Sequence, residues 1–165
     1  MKTRLITAVS FSVLSAALSS GVQAQEYATI DMEIDIAAPA AEVWETVGGY
    51  CDIGEWASLP CEITSGDGEV GTVRSLLGGV VTEVLVGKTE LSYGYTIPPS
   101  GEGFYDLYHG FMEARPVTDS SSKMVYTLML DVSNLEGEEK DNAVNGRRTQ
   151  FEALLVNMKN MVEGE

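Results

Sequence analysis

Histidine is nearly absent from this chain of 165 residues: His109 stands alone. A Ser-His-Asp or Cys-His hydrolase would have to be assembled around that one imidazole. Cysteine is almost as scarce. Cys51 and Cys61 are the only two, they form no CxxC pair, and His109 is distant from both in sequence, so the spacing of a zinc site is missing and neither metal nor cofactor is expected. Positive charge is short as well, with 10 Lys and Arg against 25 Asp and Glu. Such a surface repels phosphate backbones and anionic lipid, which sets nucleic acid and membrane partners aside. Solubility is a sufficient reason for the acidity. An apolar run of the roughly 20 residues that span a bilayer is also missing. So are linkers, internal repeats and Asn-X-Ser/Thr sequons, the last of which suits a bacterium with a periplasm.

What the N-terminus does have is Lys2 and Arg4, an apolar stretch from Leu5 to Leu18, then Ser19-Ser20-Gly21 and Val22-Gln23-Ala24. Charge, then apolar residues, then small residues is the order of a cleavable secretory signal, with the cut expected after Ala24. No cysteine follows the cut, which excludes a lipid anchor there. The remaining residues, 25–165, are of a length for one domain with its own core. Lys2 and Arg4 leave with the signal while every acidic residue stays, so the net charge moves from −15 to −17. A periplasmic or secreted location would let Cys51 and Cys61 oxidise to a disulfide, the alternative being two buried thiols.

Ile30, Met32, Ile34 and Ile36 alternate with Asp31, Glu33 and Asp35, the pattern of a strand with one wet face. Ala38-Pro39 opens a short helix carrying Val43, Trp44 and Val47 at helical spacing, ended by Gly48-Gly49. Asp52 to Trp56 reads as a second helical turn. Six strand-like runs follow, at Cys61–Thr64, Val70–Leu77, Val80–Val86, Leu91–Ile97, Phe104–Val117 and Lys123–Val132, separated by short turn sequences. Short connections favour an antiparallel meander, because parallel pairs need long crossovers. From about Glu138 to Val162 the period becomes helical, with Val144, Phe151, Leu154, Leu155, Met158, Met161 and Val162 on one face. Arg147 and Arg148 are read as belonging mostly elsewhere. That amphipathic helix needs the apolar side of the sheet as its partner.

One strand, two short helices, six antiparallel strands and a long terminal helix form the order of an α+β helix-grip fold. The residues Ile36-Ala37-Ala38-Pro39 with Val43-Trp44, Cys61 followed by Gly66-Asp67-Gly68-Glu69-Val70-Gly71 and Arg74, then Glu83, and Tyr108 with Gly110 carry the resemblance. On them the chain resembles the SRPBCC/START-like superfamily, which includes polyketide cyclase/dehydrase-like proteins and the plant abscisic acid receptors. The resemblance implies a curved seven-stranded sheet wrapped around the C-terminal helix, with a cavity between them for an apolar or polyaromatic molecule. Leu76, Val84, Tyr93, Tyr95, Tyr108, Tyr126, Leu128, Leu130, Phe151 and Leu155 are candidate lining, or simply core. Arg74 and Glu83 fall in adjacent strands and are placed to pair across a hairpin or to face a polar ligand group. In the abscisic acid receptors the glutamate matching Glu83 belongs to the polar network around the ligand. His109, with Asp106 and Tyr108 nearby, would be the best general acid or base if it pointed inward, but alternation lets only one of Tyr108 and His109 see the cavity. Two departures stand out. Glu55 occupies the place of the receptors' carboxylate-binding lysine, and their gate loop is reduced to Leu77-Gly78-Gly79-Val80.

The expected function is an exported protein that holds a small hydrophobic ligand, through Arg74, Glu83, Tyr93, Tyr95, Tyr108, His109, Tyr126 and Phe151. The alternatives are a cyclase/dehydratase-like enzyme that moves protons with a few of the same groups, or an accessory factor that meets a basic protein partner through its acidic face.

Overall fold

The computed structural model describes residues 25–99 and 107–164. The expected signal sequence, and Phe104 and Asp106, lie outside the described residues. Strand β1 (Tyr27–Ile36) is followed by helices α1 (Ala40–Val47) and α2 (Ile53–Trp56). Then come β2 (Cys61–Ser65), β3 (Val73–Leu76), β4 (Val81–Thr89), β5 (Ser92–Ile97), β6 (Tyr108–Thr118) and β7 (Ser121–Asp131), and last helix α3 (Gly137–Glu163). The seven strands form one antiparallel sheet in the order β1-β7-β6-β5-β4-β3-β2, so the first strand closes against the last and the others meet their sequence neighbours. This is the helix-grip fold.

Alternation decides which side of each strand enters the core. In β1, Ile30, Met32 and Ile36 are buried and Ile34 is half-buried, while Asp31, Glu33 and Asp35 are exposed. Tyr108, Gly110, Met112 and Ala114 of β6 alternate in the same way, and so do Met124, Tyr126, Leu128 and Leu130 of β7. On α3, Phe151, Leu155 and Met158 are fully covered; Val144, Leu154 and Val162 flank them half-buried, and Met161 is exposed. The stripe is therefore narrower than the sequence implied.

Two strands are shorter than expected. Gly71 has φ +98°, a left-handed value that a strand cannot continue, so the run from Val70 becomes extended only at Val73. The run expected from Phe104 is described as strand from Tyr108 onward.

Helix α3 also guards the open edge of the sheet. The Arg148 guanidinium donates to the Asp31 carbonyl at 2.9 Å, the Lys159 ammonium to the Asp35 carbonyl at 2.9 Å, and the Ala37 N–H donates to the Glu163 carboxylate at 2.7 Å. Backbone groups along and just beyond β1 that have no neighbouring strand thus find partners on the helix.

Candidate functional site

A cavity of about 760 Å³ opens between the sheet and the middle of α3. Its inner wall comes from Leu76, Glu83, Tyr95, Ile97 and Tyr108, and its helical wall from Arg147, Gln150, Phe151 and Leu154. Two loops complete the rim: Ile53, Ala57 and Leu59 on one side, and Leu77 to Val81 on the other. They are tied together by the Leu77 N–H, which donates to the Pro60 carbonyl at 3.0 Å. The first of these loops is closed by a disulfide between Cys51 and Cys61, with Cα atoms 5.6 Å apart.

The electrostatic centre of the inner wall is Arg74, wholly buried although charged. β3 and β4 place it opposite Glu83 in register. Its Nε donates to Glu83 Oε2 at 2.7 Å, and Nη2 lies 2.6 Å from the same oxygen as an ion pair. Nη1 donates to the Tyr50 carbonyl. The guanidinium is 4.2 Å from the centre of the Tyr50 ring and 5.1 Å from that of Tyr95, so aromatic faces replace water around the cation. Burial pulls the Arg74 pKa down, but Tyr93 and Glu83 more than reverse this, and it lies above its ordinary value. Burial pushes the Glu83 carboxyl up, with the charge and hydrogen bonds of Arg74 opposing. Both Arg74 contacts fall on Oε2, which leaves Oε1 as the acceptor available to the cavity.

Above that pair the Tyr95 and Tyr126 hydroxyls are joined at 2.8 Å. Burial raises both phenols well above their ordinary pKa, so they remain neutral hydrogen-bond groups. Gly110 makes room for this arrangement. A Cβ there would lie 2.2 Å from Tyr95 Cζ, so any side chain would expel the ring from its present position.

The residues expected at the site separate into three groups. Glu83, Tyr95, Tyr108, Phe151 and Leu76 line the cavity, with Arg74 directly behind Glu83. Tyr93, Tyr126, Leu128, Leu130 and Leu155 are buried but are not part of the lining. Tyr93 packs against Trp44 of α1 at 5.7 Å between ring centres, and Tyr126 against Phe151 at 4.9 Å, so they fill core beneath α1 and α3 instead. Two expectations are corrected outright. His109 lies on the opposite face of β6 from Tyr108, half-buried on the outer side of the sheet, and Val84 is on the outer face of β4 because Glu83 and Leu85 point inward. Glu55 is exposed and no part of the lining. Arg147, Gln150 and the rim residues Ile53, Ala57 and Leu59 were not expected. The helical signal was present, since Arg147, Phe151 and Leu154 are spaced four and three apart on one face.

Among the described residues no group of three or more His, Cys, Asp or Glu side chains is placed to hold a metal ion. No helix among them is long and apolar enough to cross a membrane.

Residues 27–163 match the family described as polyketide cyclase/dehydrase and lipid transport. No curated protein matches. Among solved structures, norcoclaurine synthase from Thalictrum flavum, in complex with dopamine and hydroxybenzaldehyde, is 16% identical with a TM-score of 0.63, covering 96% of this chain and 98% of the synthase. XoxI from Bacillus cereus is 17% identical with a TM-score of 0.64, over 81% of this chain and 94% of its own. Ara h 8.0201 is 17% identical with a TM-score of 0.63, over 85% and 100%. At these identities the likeness is one of fold.

Proposed function

The chain belongs to the polyketide cyclase/dehydrase and lipid-transport family, and from that premise we propose that it is an exported protein that shelters a small hydrophobic or aromatic ligand between sheet and helix. The observation that carries this reading is the cavity itself. Its volume of about 760 Å³ is in the range that drug-sized molecules occupy, and its walls are mostly apolar with a few convergent polar groups. Apolar surface supplies the affinity; Glu83 Oε1 and the tyrosines set the orientation by hydrogen bonds. Export is supported by the order of residues at the N-terminus and by a disulfide, which persists in oxidising compartments.

Native mass spectrometry of the protein recovered from the cells that make it tests both parts. The expected result is a chain beginning at Gln25 with an added mass of a few hundred daltons that disappears on denaturation. Bare protein that also fails to bind the neutral aromatic probe N-phenyl-1-naphthylamine would overturn the carrier reading.

One observation favours a second reading, a cyclase/dehydratase-like enzyme. Glu83 faces the cavity with its pKa raised by burial, against the opposing charge of Arg74, and a raised carboxyl pKa is the direction a general acid needs. The readings part on Glu83→Gln: turnover of a bound substrate falls by orders of magnitude in an enzyme, whereas a carrier loses only affinity.

A further inference from the structure

The wall of the cavity holds a hydrogen-bond imbalance. Tyr95 and Tyr126 share one contact, 2.8 Å between their hydroxyl oxygens, in which either oxygen could donate. Two hydroxyls carry two protons, and a single contact uses one of them. Which proton is left over follows from where each phenol sits. Tyr126 is wholly buried and no part of the lining, packed against Phe151. If Tyr126 accepted from Tyr95, its own proton would have no acceptor among the described residues, and an unmade bond at a buried site carries the full desolvation penalty. With Tyr126 as the donor, the leftover proton belongs to Tyr95, which lines the cavity. A free acceptor lies close by. Glu83 lines the cavity too, and both of its contacts to Arg74 fall on Oε2, so Oε1 is unused among the described residues. Tyr95 and Glu83 flank the same guanidinium, which is 5.1 Å from the centre of the Tyr95 ring and bonded to Glu83.

We infer that Tyr95 and Glu83 form a hydroxyl subsite, and that the ligand is an uncharged aromatic or apolar molecule whose hydroxyl oxygen accepts from Tyr95 and whose hydroxyl proton goes to Glu83 Oε1. The inference rests on the ligand-binding reading and narrows its chemical class. A hydroxyl both accepts and donates through one atom. A carbonyl answers Tyr95 alone and leaves Oε1 unused. An ammonium group answers Glu83 alone and leaves the Tyr95 proton unused, while a carboxylate meets the like charge of Glu83 in a setting that screens it poorly. Tyr126 acts from behind as a positioning residue, because its donated bond turns the Tyr95 proton toward the ligand.

Displacement of the fluorescent probe N-phenyl-1-naphthylamine by 2-naphthol and by naphthalene, which share one ring system and differ by the hydroxyl, tests this. The unmodified protein takes 2-naphthol about tenfold more tightly than naphthalene, the scale of two net hydrogen bonds. Tyr95→Phe removes the donor and keeps the ring, weakening 2-naphthol by about fivefold and leaving naphthalene within about twofold. The direction of the tyrosine pair is read from Tyr126→Phe. With Tyr126 as the donor its loss leaves the Tyr95 proton with the ligand, so 2-naphthol binds no more tightly than before; a gain would show that Tyr126 had been taking that proton and would overturn the assignment. Equal affinities for 2-naphthol and naphthalene in the unmodified protein, tighter binding of the anion 2-naphthoate than of 2-naphthol, or a Tyr95→Phe effect that is absent or the same for both compounds would overturn the hydroxyl subsite while leaving the cavity reading intact. Failure of N-phenyl-1-naphthylamine to bind the unmodified protein would overturn the cavity reading, and the subsite with it.

Discussion

The buried Arg74–Glu83 pair permits a sharp test of what holds the cavity wall. In Glu83→Leu the Arg74 guanidinium keeps its stacking on Tyr50 and its bond to the Tyr50 carbonyl, but loses both contacts to Oε2 while itself wholly buried. Removing one partner of a buried pair leaves an uncompensated charge, at a cost of about 3–5 kcal/mol. With a urea m-value of roughly 2 kcal/mol/M, the unfolding midpoint falls by roughly 2 M. Arg74→Met/Glu83→Leu removes both charges and fills much of the same volume, so it recovers most of the loss. Arg74→Met alone is the informative corner. Glu83, already pushed up by burial, takes a proton when its partner goes, so this variant retains its stability below the unfolded carboxylate's pKa and loses it as pH rises through the raised folded value. Urea titrations of the four proteins at pH 4 and 8, on either side of the ordinary carboxyl value of 4.5, measure all of this. If Glu83→Leu cost under about 1 kcal/mol, or if the double variant were no better than the single, the pair would not be the desolvated charge contact described above.

Other expectations are simpler. Cys51→Ser/Cys61→Ser opens a loop of 10 residues' separation and lowers stability by about 3 kcal/mol in denaturant titrations, matching the effect of a reductant on the unmodified protein. Gly110→Ala forces Tyr95 aside, costs roughly 1–3 kcal/mol by overpacking, and weakens N-phenyl-1-naphthylamine binding in the same preparation. Glu163 has its pKa lowered by the Ala37 N–H it accepts; its stabilisation is present above the ordinary carboxyl pKa of 4.5 and is lost as pH falls through the lower folded value. Glu163→Gln therefore flattens the acid limb of a melting-temperature profile and leaves its alkaline side unchanged.

Period and punctuation made the architecture legible. The strict alternation of β1, the short turns of the meander and the change to helical period after Asn134 each reflect burial of one face, which a sequence records directly. The cavity wall was harder, because it breaks the rule by which a core is read. In β4, hydrophobicity favours Val84 inward, yet Glu83 takes that side since Arg74 of β3 compensates its charge. A pairing across strands outweighs the polarity of a single residue, and alternation then carries Val84 outward. His109 follows from the same logic: once Tyr108 is packed inward, its neighbour has no choice. The roles of Tyr93 and Tyr126 depended on where α1 and α3 press on the sheet, which period alone does not tell. Arg147 was overlooked because a charged residue on a helix is ordinarily assigned to solvent, although its spacing to Phe151 and Leu154 placed it on the cavity side.

The tether of α3 along β1 has a consequence for behaviour in concentrated solution. An uncovered strand edge is a template on which a second chain can add its own backbone, the first step toward fibrils. Here the Asp31 and Asp35 carbonyls and the Ala37 N–H are taken by Arg148, Lys159 and Glu163, and the outward row of Asp31, Glu33 and Asp35 adds like-charge repulsion between copies. Acid leaves the Arg148 and Lys159 bonds in place, because backbone carbonyls do not titrate, whereas the Glu163 clasp is lost as pH falls through the lowered value of that carboxyl. The weak point of this protected edge is thus its end at Ala37, the one place where the cap depends on a carboxylate.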